Sequence, residues 1–416
     1  NAFIDRYVLP YNAAWHAAVQ AGDYPPPFLE DLKALAREEG LWNLFLPTLR
    51  DDEPGTRLSN LDYAPLAEAM GRLPWAAEVF NCSAPDTGNI ELLHRFASPA
   101  QRAQWLQPLL HGQCRSAFAM SEPDVASSDP TNLQTTVRRE GDTLVLNGRK
   151  WFITGAAHPQ CQLLIVLCRN ADADDSADPD SHHRHSMVLV PVGTPGVEVV
   201  RNIHVLHHHA PEGHCEIRLH NVRVPATALL GDWGQGFAMA QARLGPGRVH
   251  HCMRTIGQCE LALQLAAERA LERHAFGKPL SEQANVQEWL ADSRIEIDQA
   301  RWLVLHAAWL LDQGDAAEPR QVRAQVAAIK VVAARLQQRV VDRAMQIFGA
   351  MGLSPDTPLA AFWTWGRALR LMDGPDEVHL RTVARHELAQ ARAGLGASAA
   401  WFTTPEQLRA PPHLSA

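Results

Sequence analysis

The chain has 416 residues, 46% of them hydrophobic, which is enough to fill the cores of two or three packed domains. Its formal charge of -8 comes from acids spread along most of its length, which disfavours nucleic acid or an anionic membrane as the main partner. No apolar run approaches the ~20 residues needed to cross a bilayer, and the segment from Asn1 to Pro10 lacks the charged-then-apolar order of a secretory signal, so a cytoplasmic protein is expected.

From about Asp5 to Leu110 the pattern is helical, as in Phe28-Leu-Glu-Asp-Leu-Lys-Ala-Leu-Ala, and it is broken by Pro25 to Pro27 and by Asp51 to Gly55. Residues 1–115 therefore read as an N-terminal helical domain. Short β-branched runs follow: Gln134 to Arg138, Thr143 to Leu146, Trp151 to Thr154, Leu163 to Leu167, Met187 to Val190, Val197 to Val200 and Glu216 to Leu219. Glu140-Gly-Asp and Asn147-Gly148 between them are hairpin signals. This count predicts a mostly antiparallel, barrel-like β domain over 116–230. The stretch from Asn170 to His185, rich in aspartate and then histidine, reads as a solvated loop between strands.

The helical period returns in 231–416. Val322, Val326, Ile329, Ala333, Leu336, Val340, Ala344 and Ile347 share one stripe, the core face of a bundle helix that starts near Pro319. Leu261 to Arg273 and Ile295 to Leu311 supply further amphipathic helices, joined to the next by a loop from Asp312 to Glu318. Helices, then strands, then helices make an α+β chain and argue against alternating βαβ units.

The seven cysteines form no C-x-x-C pair, so neither a disulfide framework nor a zinc knuckle is expected. His207, His208, His209 and His214 offer imidazoles without a ligand spacing, and no metal is expected there. Gly245-Pro-Gly-Arg-Val-His250 follows a helical segment and lacks the third glycine of a dinucleotide fingerprint; it reads as a loop that starts a helix and leaves Arg248 near free N–H groups. Met372-Asp-Gly-Pro-Asp-Glu-Val-His379 is a carboxylate-rich turn between an aromatic helix, Phe362 to Leu371, and a helix from His379 to Ala393. On physical grounds alone, Asp373 there is a turn residue, and Asp376 with Glu377 favourably charges the start of the next helix.

Phe118-Ala-Met-Ser-Glu-Pro-Asp-Val-Ala-Ser-Ser128, followed by Leu146-Asn-Gly-Arg-Lys-Trp-Phe-Ile-Thr154, resembles the flavin-binding signature of the acyl-CoA dehydrogenases. Downstream, Arg273-His-Ala-Phe-Gly-Lys278 and Gln346-Ile-Phe-Gly-Ala-Met-Gly352 are similar to that family's Arg-x-x-Phe-Gly and Gln-x-x-Gly-Gly-x-Gly stretches. Gly-Arg-Val-His-His-Cys-Met-Arg254 and the 373–379 turn resemble the branch whose animal members carry a kinase-like domain ahead of the dehydrogenase domain. The resemblance implies an N-terminal helical domain, a middle β domain and a C-terminal four-helix bundle. It also implies FAD extended between β domain and bundle and reaching a neighbouring subunit, hence a homodimer or homotetramer.

Carried over residue by residue, the resemblance places Phe118, Met120 and Ser121 on one side of the flavin ring, with Phe152 and Thr154 on the other and Thr154 near N5. Arg273, Phe276, Gln346, Gly349 and Ala350 fall on the pyrophosphate and adenosine across a subunit boundary, and Glu377 touches the cofactor again. Ser127, Ser128, Arg248 and Gly374 fall where the family meets its acyl-CoA substrate. Asp373 takes the place of the family's proton-abstracting carboxylate, with its own backbone N–H helping to hold the developing enolate oxygen. Water exclusion by the acyl chain is expected to raise its pKa towards neutrality. Electrons would pass to an electron-transfer flavoprotein.

Several positions depart from the family pattern. Most members carry Glu where Asp373 stands, which is shorter by one methylene, roughly 1.5 Å of reach. Some relatives place the base near Arg248 instead, but that position is Gly247 here. Nitroalkane oxidase resembles the family and uses Asp at this place, which opens an oxidase alternative, and a flavin-free binding protein that keeps the fold is a third. Phe152 replaces the family's usual Trp, and Ala350 replaces a glycine.

Overall fold

A computed structural model describes residues 1–172 and 181–401, so part of the aspartate-rich stretch read as a loop lies outside the described residues. The N-terminal region is helical throughout: α1 Asn12–Ala21, α2 Phe28–Glu38, α3 Asn60–Gly71, α4 Ala76–Val79, α5 Asp86–Phe96 and the single turns α6 Pro99–Gln101 and α7 Gln107–Leu110. In α2 the apolar positions fall three and four apart, so Leu29, Leu32 and Ala36 reach the core together. Ser59 starts α3 by accepting the Asp62 N–H on its hydroxyl.

The middle region is one eight-stranded sheet: β1 Arg115–Ala119, β2 Thr136–Glu140, β3 Thr143–Thr154, β4 Cys161–Asn170, β5 His185–Pro191, β6 Val197–Asn202, β7 His214–Pro225 and β8 Leu229–Leu230. The order is β6-β7-β3-β2-β4-β5-β8 with β1 beside β4. Pairing is antiparallel except where β1 and β2 meet β4 in parallel. Glu140-Gly-Asp makes the expected hairpin, Glu140 pairing with Thr143. Asn147-Gly148 does not. The two runs read on either side of it are one strand, β3, and a register shift between Leu146 and Gly148 absorbs the dipeptide. Pairing with β7, and the Asn221 N–H donated to Asn147 Oδ1 at 2.8 Å, keep the chain extended against its local turn preference.

The C-terminal region holds α8 Gly236–Glu272, a small hairpin of β9 His274–Ala275 and β10 Lys278–Pro279, then α9 Ala284–Asp312, α10 Pro319–Phe348, α11 Leu359–Leu369 and α12 Asp376–Ala393. The expected stripe on α10 is buried from Val326 to Ile347, with Val322 partly so. The loop expected at 245–250 is instead the interior of α8. Pro246 forfeits one backbone hydrogen bond, but burial of Val249, Cys252, Met253 and Ile256 on the same helix outweighs that loss.

Helix α8 also joins the N-terminal helices to the bundle. A Cβ on Gly71 would lie 2.0 Å from the Arg254 carbonyl oxygen, and one on Gly257 would lie 1.9 Å from that of Glu68. The two backbones therefore touch, and only glycine fits at either point. All seven cysteines are free and buried, and no described helix is long and apolar enough to cross a membrane.

Candidate active site

The turn after α11 runs through two left-handed residues, Asp373 at φ 54° and Gly374 at φ 97°. Aspartate tolerates that region better than most residues, and glycine occupies it freely. At Gly374 space adds to conformation, since a Cβ would sit 3.0 Å from His379 Nε2.

Three side chains hold the carbonyls of this turn. Lys330, fully inside the bundle, donates to Met372 at 2.9 Å and also to Leu369. Arg248 Nε donates to the Asp373 carbonyl at 2.9 Å, and His379 Nε2 lies 3.1 Å from the same oxygen. A carbonyl only accepts, so His379 carries its hydrogen on Nε2. Cations at this point also meet the negative end of the α11 dipole. One turn on, Asp376 anchors the start of α12 by accepting from Arg335 at 3.0 Å and Arg370 at 2.9 Å.

The Asp373 side chain faces His251 of α8, whose Nε2 is 3.4 Å from Oδ2. Arg254 Nη2 sits 3.3 Å from His251 Nδ1. A guanidinium only donates, so Nδ1 accepts and the hydrogen of the neutral ring is on Nε2, the nitrogen nearer Asp373. Burial, reinforced by Arg254, pushes His251 down to about 4, which keeps it neutral. For Asp373, burial pushes the pKa up, but His251 whenever its ring is protonated, and Lys330, Arg243 and Arg248 throughout, more than offset it and hold the carboxyl below its ordinary range. The rise towards neutrality expected from shielding is thus opposed by four groups that the aspartate faces.

The two flavin-signature segments are locked side by side. Lys150 is fully buried and donates to Glu122 Oε1 at 2.9 Å, the Met120 carbonyl at 2.8 Å and the Leu167 carbonyl at 2.7 Å. Glu122 also accepts the Gln134 and Thr135 N–H groups, and the Trp151 N–H donates to the Ser121 carbonyl at 3.0 Å. Ser127 spends its hydroxyl on the Glu122 N–H at 2.9 Å, closing the loop between the motif's two halves, while Ser128 is exposed.

A register shift between Lys150 and Ile153 turns Phe152 outward at φ 52° with 45% of it exposed. Thr154 Oγ1 lies 2.9 Å from Nδ1 of His214, directly across the strand pair, and the His214 ring stacks on Trp365 of α11 with centroids 6.4 Å apart. Arg243 of α8 places its guanidinium 4.0 Å from the Phe118 ring centroid, donates to Asn89 at 2.8 Å and contributes to the field at Asp373. Arg243 thus packs on the first flavin-signature strand while its charge acts on Asp373, and His214 with Trp365 joins β7 to α11, the helix before the 373 turn. Phe118, Met120 and Ser121 are half-buried, Thr154 is likewise, and Phe152 is open. This partly uncovered strip of rings and hydroxyls fits a flat heteroaromatic cofactor.

The other expected cofactor residues are elsewhere. Arg273 and Phe276 sit at the far end of α8, and Gln346, Gly349 and Ala350 at the far end of α10, where Arg269 lies over the Phe348 ring. From Arg248 to Glu272 along α8 is about 36 Å at 1.5 Å per residue. Phe276 tips the β9–β10 hairpin with 99% of it exposed, and Arg273, Gln346, Gly349 and Ala350 are exposed too. Glu377, also exposed, lies in the first turn of α12 near Asp373.

Sequence reasoning missed Arg243, His251, Lys330, His379 and His214 as a group. His251 and His379 sat inside motifs already singled out, and Lys330 was a charge beside the buried stripe of α10, a usable signal. Arg243 and His214 act through contacts that no local pattern encodes.

Behind Arg243 lies Glu91 of α5, whose Oε1 is shielded from solvent without a hydrogen-bond partner. Burial raises its pKa to about 8 although Arg243 pulls it down. A carboxyl raised on folding favours the folded state below its ordinary value of 4.5 and loses that contribution as pH rises towards about 8. Glu91→Gln should therefore flatten the fall in stability across this window, read from urea midpoints over the pH range; an unchanged slope would place the titration elsewhere.

A helical region, a mixed sheet with a half-open strip of rings and hydroxyls, and a helical bundle that surrounds a carboxylate with cations make up the three parts of the chain. The acyl-CoA dehydrogenase N-terminal, middle and C-terminal domain families match residues 1–113, 117–222 and 234–388. The chain belongs to the acyl-CoA dehydrogenase family.

It is 53% identical over 389 residues to FadE2 of Mycobacterium tuberculosis, named a probable acyl-CoA dehydrogenase, covering 93% of this chain and 92% of that one. It is 47% identical over 365 residues to human acyl-CoA dehydrogenase family member 11, covering 87% of this chain but 45% of the human protein. A solved acyl-CoA dehydrogenase-type structure from Mycobacterium abscessus superposes with a TM-score of 0.86 at 50% identity, covering 94% and 96% of the two chains. FAD is the cofactor that homologues in this family bind.

Proposed function

We propose that the protein is an FAD-dependent acyl-CoA dehydrogenase that removes the α-proton of an acyl-CoA thioester with Asp373. The single observation that supports this most is the placement of that carboxylate, held below its ordinary range in a turn clamped by Lys330, Arg248 and His379, with Arg243, which packs on Phe118, among the charges acting on it.

The chain's own residues have separable tasks in this reading. Asp373 takes the α-proton as the C–H bond breaks. The clamp on its carbonyl keeps the turn from drifting while the thioester oxygen gains charge beside the Asp373 N–H. Phe118, Met120, Ser121, Phe152 and Thr154 hold the flavin ring, and Ser128 with Gly374 borders the acyl-CoA. When bound, FAD supplies the acceptor for the hydride that leaves Cβ. Arg273 and Phe276 past the far end of α8, with Gln346, Gly349 and Ala350 at the far end of α10, serve the cofactor of a neighbouring subunit, which makes the protein a homo-oligomer. An electron-transfer flavoprotein takes the electrons onward.

Anaerobic titration of the yellow protein with butyryl-, octanoyl- and palmitoyl-CoA and their branched counterparts tests this. Bleaching of the flavin by at least one of them is expected, and failure of every one would sink the proposal. Rapid peroxide formation with a substrate in air, without an added acceptor, would move the reading to an oxidase.

A further inference from the structure

We infer that His251 is a positioning residue for Asp373, its Nε2–H fixing one carboxylate oxygen so that the other faces the substrate. The inference rests on the reading of Asp373 as the base and adds to it a second residue from a different helix.

The geometry sets the direction of this contact. Arg254 occupies Nδ1 of His251 and also donates to the Cys82 carbonyl at 3.3 Å, so the ring is oriented by a residue itself tied to the N-terminal helices. The ring's other nitrogen, Nε2, is the atom nearest the carboxylate, 3.4 Å from Asp373 Oδ2. Only 12% of the His251 side chain and 24% of the Asp373 side chain is exposed, so water competes weakly for either. Arg248 and His379 both bind the Asp373 backbone oxygen, and Lys330 binds the carbonyls before it. Those contacts fix the turn. They leave the carboxylate free to rotate about its own bonds, and His251 is the group placed to stop it.

An aspartate needs this more than a glutamate would. The shorter side chain has fewer ways to meet the α-carbon, so one rotamer must be selected, and a misplacement of about 1 Å can cost ~100-fold in rate. With Nδ1 taken by Arg254, His251 serves as donor and does not remove the proton from Asp373. Like His379 of α12, it is held near 4 by burial and adds no charge at neutral pH, where Arg243 and Arg248 of α8 and Lys330 of α10 supply the positive field around the carboxylate.

The test compares holoenzyme variants by two readouts. The first is the pH at which the Asp373 carboxyl protonates, followed as the infrared band that Asp373→Asn removes. The second is kcat and KM with the acyl-CoAs of the titration panel. His251→Leu should move protonation to higher pH and lower kcat by about 100-fold, with KM little changed. His251→Gln, whose amide N–H reaches the Nε2 position, should recover much of both; His251→Asn, which reaches only the Nδ1 position, should not. If the leucine variant fails to fold or to hold flavin, the two amide variants decide.

A wild-type protonation pH and kcat in His251→Leu, or identical profiles in the two amides, would overturn the inference and leave Asp373 as base. Full turnover in Asp373→Asn would instead overturn the reading beneath it.

Discussion

Asp373→Asn is expected to keep the fold and bound flavin and to lose turnover by several orders of magnitude. The amide matches the carboxylate in size, and the contacts to the backbone oxygen of residue 373 from Arg248 and His379 do not depend on the side chain. What it lacks is a site that can accept the α-proton, and removal of a general base costs at least the 100- to 10,000-fold typical of such groups. The appropriate measurement is the rate of flavin bleaching on anaerobic mixing, because it isolates proton and hydride removal from reoxidation. Near-normal bleaching would place the base elsewhere. In the unaltered protein the cations facing Asp373 keep it ionised at neutral pH, so activity should fall only as acid protonates a carboxyl held below its ordinary range.

The second large effect is on stability. Lys150→Met should cost about 3–5 kcal/mol, the usual penalty for stripping one partner from a buried ion pair. Lys150 pairs with Glu122 and satisfies two backbone carbonyls besides, and burial lowers its own pKa while the Glu122 carboxylate pulls it back up. Without it, Glu122 keeps only the Gln134 and Thr135 N–H groups. Because Lys150 spans the two flavin-signature segments, the same substitution should weaken FAD retention. Urea unfolding with bound flavin followed in parallel checks both, and a loss under about 1 kcal/mol would mean that the pair is replaceable by local rearrangement.

Much of the fold was legible in the sequence because each region has one dominant period. The stripe on α10 is the clearest case, since steps of three and four over eight positions admit little besides a buried helix. Errors arose where a local preference opposed long-range packing. Asn147-Gly148 prefers a turn, yet β7 pairs along both sides of it. Gly245-Pro-Gly prefers a break, yet the apolar face beyond it is buried and the helix runs through.

The site divides in the same way. Asp373, Phe152 and Thr154 were singled out through motifs, whereas Arg243 reaches Phe118 across 125 positions of sequence and leaves no local trace. The shortened carboxylate was visible from the start, but the histidine beside it acquired meaning only once α8 and the 373 turn were set against each other.

The crossing of α3 and α8 at Gly71 and Gly257 ties this local chemistry to the folding of the whole chain. Gly71 abuts the backbone of Arg254, the residue that orients His251, so there is no slack at that point through which the N-terminal helices could loosen alone. In the proposed reaction, the aim of Asp373 is thus underwritten by a domain that holds none of the residues assigned to the proton transfer. Damage in that domain, from a bulky residue in the seam to partial proteolysis of α3, would first be felt as a poorly aimed carboxylate.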